Sequence, residues 1–67
     1  MAKRYYVNNN AQHNGDHEVH EEGCQYMPSN KTDLGLHDDC QSAVKEAKKK
    51  YSKSNGCKYC AKPCHTS

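Results

Sequence analysis

The sequence predicts an α+β fold: one small domain in which a β-hairpin, with a short third strand beside it, packs on a single α-helix. Three observations carry the prediction. The segments "KRYYVN" and "DHEVHE" alternate apolar and polar side chains with the period of strands. Cys40, Val44, Ala47 and Tyr51 recur at i, i+4, i+7 and i+11, one stripe of a helix. Histidine and cysteine cluster at "HEVHEEGC" and again at "NGCKYC", with spacing suited to a common ion.

Strand one, "KRYYVN", sets Tyr5 and Val7 on one face and Tyr6 on the other. "NNAQHNGD" follows as a turn-rich loop centred on Asn14-Gly15. The partner strand "DHEVHE" places His17 and Val19 on one face and Glu18 and His20 on the opposite one. "MPSNKTD" reads as loop, and "DLGL" at 33–36 as a third short strand weakened by Gly35. Asp38 is the expected N-cap of the helix, with Gln41 completing a capping box. Ala43 widens the apolar stripe, while Lys45, Lys48, Lys49 and Lys53 cover the other faces. Asn55-Gly56 is expected to end the helical region at positive φ.

This inventory is thin for a chain of 67 residues with no Phe or Trp. The large apolar side chains are five tyrosines, Val7, Val19, Val44, Leu34, Leu36, Met1 and Met27. A domain of that size needs a staple besides its core. Five cysteines and five histidines are the material available. An odd cysteine count argues against a fully paired secreted framework. "MAKRYYVNNN" carries no apolar run of the signal-peptide kind, and no stretch reaches transmembrane length. The expectation is a soluble cytoplasmic protein in a reducing compartment, with no membrane partner and no small-molecule substrate.

Cys57-x2-Cys60 lets one tight turn aim two thiolates at a tetrahedral ion. His20-x3-Cys24 supplies the second pair from a strand end turning back on itself. One imidazole with three thiolates suits zinc, and four protein donors make the site structural rather than catalytic. His17 is the alternative to His20, and Cys64 and His65 are alternative ligands near the C-terminus. The rival use of Cys57 and Cys60 is a redox dithiol, but that motif belongs at a helix N-terminus, and here it follows the helix. Cys40 is expected as a buried small hydrophobe and Cys64 as a free thiol, with a Cys40–Cys64 disulfide as the alternative. His13 and His37 are expected at the surface.

"VHEEGCQYMP", then a helix, then "NGCKYC" resembles the Ada-type metal-binding domain over roughly residues 17–60. The whole chain also resembles short bacterial proteins of unassigned role with the layout "YYVNN…NGDHEVH…C…NGC-x-Y-C…CH". The Ada resemblance implies one zinc held by an early pair, a middle helix and a later Cys-x2-Cys pair. In that family the first cysteine of the early pair is the methyl acceptor. His20 stands in that slot here, and an imidazole cannot serve as that nucleophile, so no enzyme activity is expected.

Charge is divided along the chain. Residues 1–39 carry three basic against seven acidic side chains, whereas residues 40–67 carry seven lysines against Glu46 alone. A solvated helix face accounts for such lysines. Contact with a phosphate backbone through Lys48, Lys49, Lys53, Lys58 and Lys62, with Tyr6, Tyr26 and Tyr59 as stacking surfaces, is the alternative. The sequence therefore predicts a single domain over 1–67 with a metal-binding core at 17–60 and a mobile tail from about 61. Its expected role is an interaction module, with nucleic-acid binding and thiol redox or metal sensing as the other readings.

Overall fold

A computed structural model describes residues 2–12 and 14–65. Four strands and one helix follow in the order β1 (Lys3–Asn8), β2 (His17–Glu21), β3 (Lys31–His37), α1 (Cys40–Lys50) and β4 (Ser54–Gly56), with a 3-10 turn at Lys62–Cys64. The strands form one mixed sheet in the order β3-β1-β2-β4. β1 lies antiparallel to both β2 and β3, and β4 runs parallel to β2. The α+β prediction holds, with a fourth strand added.

The hairpin of β1 and β2 pairs Tyr6 with His20 and Val7 with Val19. Tyr5, Val7 and Val19 are buried, and with Cys40, Ala43, Ala47, Cys57 and Ala61 they make the core. Small residues on the inner face of α1 let the helix approach the sheet closely. That compensates for the scarcity of large apolar side chains. Val44, Leu34 and Tyr51 pack around the edge of this cluster.

β3 is longer than "DLGL" and carries a bulge. Tyr5 pairs with Gly35 and Tyr6 with Asp33, so Leu34 is an extra residue in the ladder. Gly35 has φ of 84°, in the left-handed region that glycine enters without steric cost. The bulge reverses the strand's facing. Leu34 reaches the core, Leu36 is 61 % exposed, and His37 sits edge-on to Tyr5 with ring centroids 6.1 Å apart. His37 is therefore half-buried rather than a surface residue, bonded to the Leu34 carbonyl at 2.8 Å and to Ser42 Oγ at 3.0 Å. His13 lies outside the described residues.

The helix starts one residue later than predicted. Asp39, not Asp38, is the N-cap, and its Oδ1 accepts from Ser42 N at 2.9 Å. At the other end, Tyr51 N donates to Ala47 O and the chain becomes extended at Tyr51. Asn55 and Gly56 do not cap the helix and have no positive φ. They belong to β4, where Asn55 pairs with Glu18 and Gly56 with Val19. Gly56 is needed for space instead: a Cβ there would lie 2.7 Å from both Ala61 O and Cys64 Cβ.

Candidate metal centre

Two chain segments converge at the C-terminal ends of β2 and β4, which run side by side. On β2, the adjacent residues Val19 and His20 are 0 % and 1 % exposed, so both faces of the strand are covered there. After Glu21 the chain reverses through Gly23, at φ 89°, and Cys24 N bonds back to Glu21 O at 3.0 Å. That turn returns Cys24 toward His20. On the other side, Cys57 N continues the β2–β4 ladder by donating to Val19 O at 2.9 Å. Ala61 N then closes on Cys57 O at 3.0 Å, folding Cys60 back beside Cys57.

The ligand atoms of His20, Cys24, Cys57 and Cys60 all lie within 4.8 Å of one another. The Cys24 and Cys57 sulfurs are 3.9 Å apart, and Cys60 Sγ is 3.9 Å from His20 Nδ1. A tetrahedral ion with metal–sulfur bonds of about 2.3 Å requires sulfurs about 3.8 Å apart. The four donor atoms lie close enough together that they could hold one metal ion.

The surroundings prepare these donors. His20 Nε2 lies 3.5 Å from Glu18 Oε1, so the ring can carry its proton on Nε2 and present a bare Nδ1 to the sulfurs. Burial lowers the basicity of His20 below the ordinary value, against the opposing pull of Glu18, and favours the neutral ring that ligation needs. Burial is also the main cause of a strongly raised Cys60 pKa, assisted by hydrogen bonding to Cys24. Glu21 N–H donates to Cys60 Sγ at 3.2 Å, the contact that works in the opposite direction. Tyr59 N–H donates to Cys57 Sγ at 3.5 Å. Backbone donors of this kind stabilise thiolates once an ion has displaced their protons.

No family model, curated protein or solved structure matches the chain. The site is therefore read from its own chemistry.

The four residues predicted as ligands are the four brought together. The alternatives are engaged elsewhere. His17 Nδ1 donates to Asn8 O at 2.9 Å, and its ring stacks on Tyr51 with centroids 3.8 Å apart. His65 Nδ1 donates to Gly56 O at 3.1 Å. Cys64 is bonded to Cys40 in a disulfide, with Cα atoms 6.2 Å apart. This corrects the expectation of a free Cys64 and a lone buried Cys40. The stripe position that suggested a small hydrophobe also points Cys40 at the segment following Cys60. Within 61–65, expected as part of the tail, Ala61 is 1 % exposed and the 3-10 turn carries the disulfide, while Lys62 and Pro63 are exposed.

Beside this disulfide, Cys24, Cys57 and Cys60 are free. Among the described residues no helix is long and apolar enough to cross a membrane. The lysines proposed for nucleic-acid contact stand on separate elements. Lys48 and Lys49 lie in the last turn of α1, with Lys49 3.2 Å from Glu46. Lys53 reaches over Gly15, Lys58 is on the Cys57–Cys60 turn, and Lys62 opens the 3-10 turn.

Proposed function

We propose that His20, Cys24, Cys57 and Cys60 hold one zinc ion in a closed structural site, and that the domain so stapled is a non-enzymatic interaction module. The supporting observation is the convergence of four soft and borderline donors, from segments more than thirty residues apart, within 4.8 Å. Zinc bound there would supply folding free energy, and four protein donors leave no position for an activated water. The Ada-type resemblance belongs to this proposal, since the order of early pair, helix and Cys-x2-Cys pair is the order seen here. His20 fills the acceptor slot and is 1 % exposed, so the reading includes no methyl transfer. A native mass spectrum of freshly purified protein tests it. One bound zinc is expected, lost in Cys24→Ser and Cys57→Ser and kept in the double variant Cys40→Ser/Cys64→Ser. A metal-free mass throughout would overturn the reading.

One observation favours nucleic-acid binding as the second reading. Tyr26 and Tyr59 stack with centroids 4.4 Å apart across the two ligand turns and are 50 % and 63 % exposed, and Lys58 precedes Tyr59 in the chain. Exposed aromatic faces near lysines are stacking surfaces for unpaired bases. Binding to a single-stranded oligonucleotide that weakens with salt and with Tyr59→Ala would support it, and no binding at low ionic strength would remove it.

A further inference from the structure

A cleft of ≈ 380 Å³, a volume within the range of small-ligand pockets, lies between the start of α1 and the segment after Cys60. Tyr5, Glu21 and Asp39 bring oxygen-bearing side chains to its lining, Ala61 and Pro63 bring apolar surface, and no lysine or arginine lines it. Tyr5 is 5 % exposed, yet its phenol hydroxyl has no hydrogen-bond partner among the described residues. A buried phenol ordinarily finds one. Among the described residues every fully enclosed side-chain nitrogen or oxygen is satisfied, so the Tyr5 oxygen is open to the cleft that the residue lines. Burial, and after it the Glu21 carboxylate, raises the Tyr5 pKa, and Asp39 acts in the same direction, so both carboxylates stand near the phenol. Glu21 is paired at Oε1 with Lys3, whose side chain is 60 % exposed, and Asp39 Oδ1 accepts from Ser42 N at 2.9 Å. Each carboxylate keeps a second oxygen. As the N-cap, Asp39 also offsets the partial positive charge of the helix end, which would otherwise disfavour a cation here.

We propose that this cleft binds a primary alkylammonium group, the head of a lysine side chain presented by a partner protein. An ammonium carries three N–H donors and no acceptor, and the Glu21 carboxylate, the Asp39 carboxylate and the Tyr5 phenol supply three acceptors. The phenol accepts from the ammonium while its own proton turns to a carboxylate. A guanidinium is a planar fork that suits two oxygens of one carboxylate, whereas these acceptors belong to three side chains, which favours the compact ammonium. The two carboxylates exclude an anion. Ala61 and Pro63 offer apolar surface to the four-carbon stem, which a lysine buries while its head is solvated or paired. Lys3 already places an ammonium on Glu21 from outside the cleft, and an incoming lysine competes with it for that carboxylate. The choice of a protein as the source rests on the interaction-module reading above. The cleft itself needs no metal.

Amide chemical shifts of the full chain, followed by NMR as a blocked glycine–lysine–glycine tripeptide is added, test this. Saturable shifts are expected at Glu21, Cys40, Gln41 and Ala61, and none with the same peptide acetylated on its lysine nitrogen, which keeps the stem and removes the charge. Tyr5→Phe keeps the ring in the core and removes only the hydroxyl, and is expected to weaken binding about tenfold or more. Asp39→Asn retains the cap and removes the charge, and should weaken binding likewise. Lys3→Met removes the competitor and is expected to tighten binding about two- to fivefold. Equal shifts with the acetylated peptide would overturn the proposal, as would unchanged affinity in a folded Tyr5→Phe protein or the absence of saturable shifts at the cleft. Tighter binding of free n-butylammonium than of the peptide would overturn the protein source. Metal content is read separately by native mass spectrometry, and its absence would count against the metal reading and leave the cleft result standing.

Discussion

Glu18 and His20 point the same way from β2, and the Glu18 carboxylate lies 3.5 Å from His20 Nε2 while His20 Nδ1 faces Cys60 Sγ. The strand period of two makes this pairing, since residues i and i+2 share a face. A carboxylate behind a ligating imidazole sets its tautomer and raises its strength as a donor. Glu18→Gln keeps the size of the side chain and removes the charge. It is expected to weaken zinc binding by about 10- to 100-fold, read by competition with a chromophoric chelator. Unchanged affinity would mean that Glu18 only contacts the histidine.

The helix start separates two neighbouring aspartates. Asp39 Oδ1 accepts from Ser42 N, whereas Asp38 is exposed and precedes the cap. Asp39→Ala should lower stability by about 1 kcal/mol, and Asp38→Ala by much less. Urea unfolding of the two variants, compared at constant m, distinguishes them. Equal losses would contradict the assignment of the cap.

How far the sequence could be read follows from how local each signal was. Alternation in "KRYYVN" and "DHEVHE" reports a half-buried strand directly, and the β1–β2 hairpin is where it was expected. His20, Cys24, Cys57 and Cys60 were legible because ligand spacing within each pair is a local constraint. β4 was not legible. "SNG" has neither strand propensity nor alternation, and it is a strand only because the helix delivers it alongside β2. The facing of Leu36 was hidden by the bulge at Leu34-Gly35, which changes parity without an apolar signal. Glu18 as a partner of His20 could have been found from Glu-x-His on one strand. The pairing of Cys40 with Cys64 depends on tertiary placement across 24 residues, and spacing alone carries no connectivity.

That disulfide closes the chain from the start of α1 to the segment after the metal turn, a separation of 24 residues. Chain-entropy arguments assign about 3 kcal/mol to a loop of this length. The double variant Cys40→Ser/Cys64→Ser, loaded with metal, is expected to unfold at correspondingly lower denaturant while still binding one zinc. Losing the metal together with the disulfide would show that the two staples are not independent in forming the site.

Gly56 connects strand, metal turn and disulfide at one point of close approach. A Cβ on residue 56 would come within 2.7 Å of Ala61 O and Cys64 Cβ and within 2.8 Å of the Cys64 carbonyl carbon. Two of these three are backbone atoms and the third is bound into the disulfided residue, so no flexible side chain can move aside. The contacts lie on the segment that follows Cys60, while residue 56 itself precedes Cys57. Relief of the clash must therefore shift one ligand turn relative to β2, which holds His20. Gly56→Ala is expected to cost about 1–3 kcal/mol by overpacking, and to weaken zinc binding as well. Thermal unfolding with and without added zinc checks both parts. If zinc restores the variant to wild-type stability with undiminished affinity, the approach at Gly56 does not position the metal turn.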